Sequence, residues 1–217
     1  MQRYVLFAQA NKFVHFHTMT KIAIFASGNG TNMEQIAEYL AAHPESALSV
    51  ACVVINRRDA YVRHRAERLG IEVKYFTREE LADPEVLLPY LRERGVEAIV
   101  LAGYMALIPH FLLEAYPGLI LNIHPALLPK YGGKGMYGMH VHEAVHAAGE
   151  RETGITIHEI DEQYDRGRTI FQARTEISPE ETPEEIAAKI HLLERDHYPR
   201  IVARWIESKR EEHLLHS

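Results

Sequence analysis

From Lys21 onward, short apolar runs alternate with stretches whose apolar residues recur at helical spacing. Lys21 to Ala26 is a brief β-branched and apolar run that ends in a glycine loop, which predicts a buried strand. Asn32 to Ala42 follows with Met33, Ile36, Ala37 and Leu40 on one helical face. Leu48 to Ile55 reads as a second strand, Tyr61 to Leu69 as a helix closed by Gly70, and Ile71 to Tyr75 as a third strand. Pro84 to Arg94 is helical and closed by Gly95. Ala98 to Leu101 is a fourth strand, Pro109 to Tyr116 a short helix and Leu119 to Ile123 a fifth strand. Strands separated by helices need crossover connections. The pattern therefore predicts an α/β fold, a mostly parallel, doubly wound, Rossmann-like sheet with helices on both faces.

The rhythm changes after the fifth strand. Gly132 to Gly138 is a glycine-rich loop, and His140 to Ala148 is helical. Gly154 to Ile160 and Thr169 to Glu176 are strands joined by a polar turn, which predicts a C-terminal antiparallel extension of the sheet. Thr182-Pro183-Glu184-Glu185 is a helix start with a capping threonine and proline at the first position. That helix is expected to reach about Lys209.

Composition narrows the class. Of the 217 residues, 47% are hydrophobic, enough to bury a core as one domain. The net charge of −6 argues against a nucleic-acid partner, which usually meets a basic face. Cys52 is the single cysteine, so an internal disulfide and a cysteine metal site are excluded and a reducing, cytoplasmic setting is expected. No apolar run approaches the ~20 residues of a membrane helix, and no membrane partner is expected. Met1 to Thr18 lacks the layout of a signal peptide. Residues 1–18 are expected to be a tail, and 19–217 one domain.

Two segments carry candidate chemistry. Ser27-Gly28-Asn29-Gly30-Thr31-Asn32 joins a strand to a helix, where free backbone N–H groups and glycines make an anion site. No Gly-Lys-Ser/Thr follows, and the second strand ends in Asn56-Arg57-Arg58 rather than in an acid, so a monophosphate suits the loop better than a dinucleotide. A tight turn without a ligand would use the same residues. Asn122-Ile123-His124-Pro125 closes the fifth strand, at the edge where open α/β sheets bind ligands. Residues two apart on a strand share a face, so an amide and an imidazole project together. That pair can stabilise an oxyanion and move a proton, or simply cap the strand. Without an adjacent serine or cysteine nucleophile, direct transfer is favoured over a covalent intermediate.

Asn122 to Pro129, read with Ser27 to Asn32, Ala102-Gly103-Tyr104-Met105, Gly154-Ile155-Thr156-Ile157-His158 and Tyr164-Asp165-Arg166-Gly167, resembles the phosphoribosylglycinamide formyltransferase family. The resemblance spans about Lys21 to Trp205, and the order and spacing of the motifs make it specific. It implies formyl transfer from 10-formyltetrahydrofolate to the amine of glycinamide ribonucleotide in purine synthesis, by a cytoplasmic monomer or homodimer. It also implies Asn122, His124 and Asp165 as catalytic residues, Gly30, Thr31 and Asn32 as the phosphate loop, and His191 and Glu194 as nucleotide contacts. Folate contacts are implied at Met105, Ala106, Leu107, Ile108 and Asn122, with a looser match at Arg78. Many relatives carry Arg where Ala106 stands.

The chain departs from the family at Gly132 to Gly138, a longer loop in which Lys134 either approaches an anionic end of a ligand or serves no ligand. His142 and His146 have a zinc-compatible spacing but lack the metalloprotease glutamate, and no metal is expected. Relatives that formylate methionyl-tRNA carry a further C-terminal domain, and the formyltetrahydrofolate hydrolase an N-terminal one. Neither is expected here. The hydrolase and a non-catalytic phosphate-binding relative are the alternatives.

Overall fold

A computed structural model describes residues 19–162, 165 and 167–215. The expected tail, and Tyr164 and Arg166 of the turn motif, lie outside the described residues. Fourteen of the described elements follow one another as β1 (Thr20–Ala26), α1 (Thr31–Ala42), β2 (Leu48–Ile55), α2 (Val62–Arg68), β3 (Val73–Tyr75), α3 (Arg78–Leu81), α4 (Pro84–Glu93), β4 (Val96–Leu101), α5 (His110–Ala115), β5 (Ile120–His124), α6 (Met139–Ala147), β6 (Glu152–Glu159), β7 (Thr169–Glu176) and α7 (Pro183–Leu215).

The strands form one sheet in the order β3-β2-β1-β4-β5-β6-β7. The first five are parallel; β6 adds antiparallel to β5, and β7 antiparallel to β6. β1 lies between β2 and β4 and is buried on both faces, which accounts for its nearly continuous apolar run. Its side chains alternate between two cores. Ile22, Ile24 and Ala26 pack with α1, α2 and α7, while Ala23 and Phe25 pack with α3, α4 and α5. Because β2 departs to one side of β1 and β4 to the other, a crevice opens at their carboxyl ends, the usual ligand position in such sheets.

Two elements differ from the sequence pattern, each with a local cause. Thr77 caps a short helix, α3: its Oγ1 accepts the Glu80 N–H at 3.2 Å while Glu80 Oε2 accepts the Thr77 N–H at 2.7 Å. This reciprocal box was present in the sequence as Thr-x-x-Glu and holds a helix too short to show a period. α7 continues past Lys209 because Arg210 ties it back to the sheet. Its guanidinium donates to Thr20 Oγ1 at 2.9 Å, to the Ser46 carbonyl at 2.8 Å and to the Ala47 carbonyl. The Thr182 start stands as the pattern predicts, with Thr182 and Glu185 exchanging bonds of 2.8 and 3.2 Å. Among the described residues no helix is long and apolar enough to cross a membrane.

Candidate active site

A cavity of about 660 Å³ occupies the crevice. Its floor is the carboxyl ends of β1, β4 and β5, and its walls are the segments that leave them. Gly30, Thr31 and Asn32 line it at the start of α1, a helix N-terminus that no side chain of its N-cap residue closes. Gly30 has φ +80°, and a Cβ there would lie 2.4 Å from Val62 Cγ2, so α2 backs the loop closely enough to require glycine. Arg65 on α2 steadies the same turn, donating to the Asn29 carbonyl at 2.9 Å while pairing with Glu34.

Met105, Ala106, Leu107 and Ile108 form a second wall. Ser27, fully buried at the end of β1, accepts the Met105 N–H at 2.9 Å and so joins this wall to the phosphate-loop side. Ile108 is buried, whereas Met105 and Leu107 are 49% and 61% exposed, an apolar surface that the described residues leave open.

Asn122 and His124 project from β5 beneath these walls, and Asp165 reaches the same space from the β6–β7 turn. His124 is 3% exposed. Its Nε2 lies 2.7 Å from the Tyr131 carbonyl, which can only accept, so Nε2 carries the hydrogen. Nδ1 is left facing Asp165 Oδ2 at 3.8 Å. Burial pulls the imidazole below its usual pKa, and the Asp165 charge and the Tyr131 carbonyl oppose that pull. Asp165 sits at φ +55° and accepts the Gly133 N–H at 2.8 Å.

His158 completes the group, and the sequence pattern assigned it no role. β6 pairs with β5 in a register that sets His158 opposite Asn122. His158 Nδ1 donates to the Glu159 carbonyl at 3.0 Å, so the bare Nε2 accepts from Asn122 Nδ2 at 3.1 Å. Its Nε2 is also 3.7 Å from Asp165 Oδ1. Burial holds this imidazole below its usual pKa as well, so it remains an acceptor that fixes which way the Asn122 amide points. Strand pairing is not written in either strand alone, which is why the pattern missed it.

α7 closes the cavity with His191 and Glu194. Glu194 accepts from Asn32 Nδ2 at 3.1 Å, and burial raises its pKa against the opposing pull of His191 and Asn32. The Gly133–Gly138 part of the longer loop, Lys134 included, also lines the space. Arg78 does not. The Thr77 cap sets it exposed at the first turn of α3, just after β3, the edge strand farthest from β5 in the parallel part of the sheet. Buried His142 lines the cavity, and its Nδ1 has no hydrogen-bond partner among the described residues. Among the described residues no group of three or more His, Cys, Asp or Glu side chains is arranged to hold a metal ion.

A family profile described as formyl transferase matches residues 20–202. The chain belongs to the formyl transferase family. It is 40% identical over 188 residues to a phosphoribosylglycinamide formyltransferase of Bacillus subtilis, covering 85% of this chain and 93% of that one. It is 38% identical over 207 residues to the chloroplastic phosphoribosylglycinamide formyltransferase of Arabidopsis thaliana, covering 93% of this chain and 70% of the relative. The solved structure of phosphoribosylglycinamide formyltransferase from Streptococcus pneumoniae TIGR4 superposes with a TM-score of 0.76 at 38% identity, over 87% of this chain and 99% of that one. The grouped amide, imidazole and carboxylate thus belong to a family whose chemistry is acyl transfer at the oxidation level of formate.

Proposed function

We propose that this chain transfers the formyl group of 10-formyltetrahydrofolate to the amine of glycinamide ribonucleotide. The observation that carries the reading is the convergence of Asn122, His124 and Asp165 in one cavity that also contains the α1 N-terminus. The N-terminus at Gly30, Thr31 and Asn32 suits the phosphate of the acceptor. Glu194 and His191 border the space for its ribose. The apolar wall from Met105 to Ile108 suits a flat heteroaromatic ring of the donor. The cytoplasm, and a monomer or homodimer, complete the proposal.

The neutral amine attacks the formyl carbon, forming a C–N bond as the carbonyl electrons move to oxygen. The remaining Asn122 amide hydrogen and a protonated His124 Nδ1 stabilise that oxyanion. Asp165 favours the imidazolium and takes up, through water, the proton lost by the attacking nitrogen. The same proton, passed on through that water, protonates the folate N10, its bond to the formyl carbon breaks, the carbonyl re-forms, and the formamide and tetrahydrofolate leave. The Asn122 amide is held in place before substrate arrives, which is how electrostatic stabilisation avoids reorganisation.

The test measures release of tetrahydrofolate with glycinamide ribonucleotide, with methionyl-tRNA and with water alone. Release that depends on glycinamide ribonucleotide, with formylated product, is the expected outcome. Equal release with water alone would identify a hydrolase, and binding without turnover a non-catalytic relative.

A further inference from the structure

The ring of His124 meets two acceptors that favour opposite tautomers. Asp165 at 3.8 Å from Nδ1 favours a hydrogen there, which would leave Nε2 bare. The Tyr131 carbonyl at 2.7 Å from Nε2 favours a hydrogen on Nε2 and frees Nδ1 to receive and deliver a proton. The position of one backbone carbonyl therefore decides which nitrogen faces the reaction.

That carbonyl belongs to a residue in an uncommon conformation. Tyr131 has φ +55°, where a side chain is disfavoured, and such a geometry persists only when its surroundings hold it. Its hydroxyl donates to Glu150 Oε1 at 2.9 Å, and Lys130 Nζ donates to the same oxygen at 2.8 Å. Its ring packs on the small apolar cluster of Ala126, Val141, Val145, Ile177 and Ile186. Two residues on, the Gly133 N–H holds Asp165, so one short segment touches both groups flanking the reaction. Lys130, Tyr131 and Glu150 line a separate cleft of about 240 Å³, and neither Tyr131 nor Glu150 borders the reaction cavity.

We propose that Tyr131 and Glu150 are positioning residues for His124: the phenol–carboxylate contact fixes the Tyr131 backbone so that its carbonyl holds Nε2–H and leaves the Nδ1 lone pair to take up the proton that the imidazolium then presents to the reacting oxygen. The tautomer is a property of the substrate-free protein, and only its consequence for turnover rests on the formyl-transfer reading. Because Tyr131 and Glu150 stand outside the cavity, their loss acts on kcat through His124 rather than on substrate affinity.

The test uses nitrogen NMR of the full chain with isotope-labelled histidine, His124 being assigned by the signal that disappears in His124→Gln. The wild type is expected to show the Nε2–H form. Tyr131→Phe, which keeps the ring and loses the hydroxyl, and Glu150→Ala should both move His124 toward the Nδ1–H form. The imidazolium then loses the support of one hydrogen bond, a fall of about tenfold in kcat, with KM values little changed. Glu150→Gln retains an acceptor oxygen and should stay near wild type. Folded Tyr131→Phe and Glu150→Ala proteins that both keep the wild-type tautomer would overturn the proposal, as would Glu150→Gln matching Glu150→Ala. A tautomer shift counts in its favour even if the wild type proves unable to transfer formyl, so the two readings fail separately.

Discussion

Asn122→Ala removes the amide placed to meet the developing oxyanion. Asn122 Nδ2 has two hydrogens, and one is committed to His158 Nε2 at 3.1 Å. The other is the donor left for substrate. Its loss should lower kcat by roughly 10²–10³, equivalent to about 2.7–4 kcal/mol of transition-state stabilisation. The cost to folding is far smaller. Asn122 is half-buried on the cavity wall, so truncation enlarges an existing space rather than opening a void in the core. The His158 nitrogen loses one neutral partner and gains access to water, a net change of about 1 kcal/mol. Initial rates of tetrahydrofolate release and the urea midpoint, measured on one preparation, separate the two effects. Asn122→Asp supplies a control, since it keeps the shape and loses both amide hydrogens. A folded Asn122→Ala protein with kcat within about threefold of wild type would refute oxyanion donation, because no single donor of this kind is worth so little. Full activity in Asn122→Asp would show that shape rather than donation matters.

Gly30→Ala would place a Cβ 2.4 Å from Val62 Cγ2 and 2.7 Å from Val62 Cα at φ +80°. Left-handed backbone and overpacking together should cost about 2–5 kcal/mol and raise KM for the phosphorylated substrate, and an unchanged urea midpoint and KM would count against this. His142 is buried, which lowers its pKa from 6.5 to about 4. The unfolded chain then binds the proton first as pH falls, so stability present above pH 6.5 is lost toward pH 4, on the order of 2 kcal/mol. Urea midpoints at pH 7 and 4.5 should converge less in wild type than in His142→Gln; equal pH sensitivity of the two proteins would exclude His142 as the source.

Much of the fold was legible because its signals are local. The apolar run of β1, the period of α1 and the Thr182 cap each reflect a rule that operates within one or two turns of chain. The glycine loop and the Asn122–His124 pair were legible for the same reason: a strand's end and the parity of its side chains follow from a few adjacent residues. Where no period could develop, in the four residues of α3, only the cap betrayed the helix. Arg78, assigned by likeness of a short segment, turned out to follow the edge strand and not to reach the cavity.

The sequence by itself thus determined the alternation of strands and helices, the anion-binding turn and the chemical character of the β5 terminus. Tertiary structure alone decided which groups meet there. Asn122 finds His158 through an antiparallel register, Asp165 is held by Gly133 across the inserted loop, and Asn32 reaches Glu194 over 162 residues of chain. Local side-chain patterns encode burial and backbone preference. They carry no term for a hydrogen bond to a distant partner, which exists only once the sheet has aligned both ends.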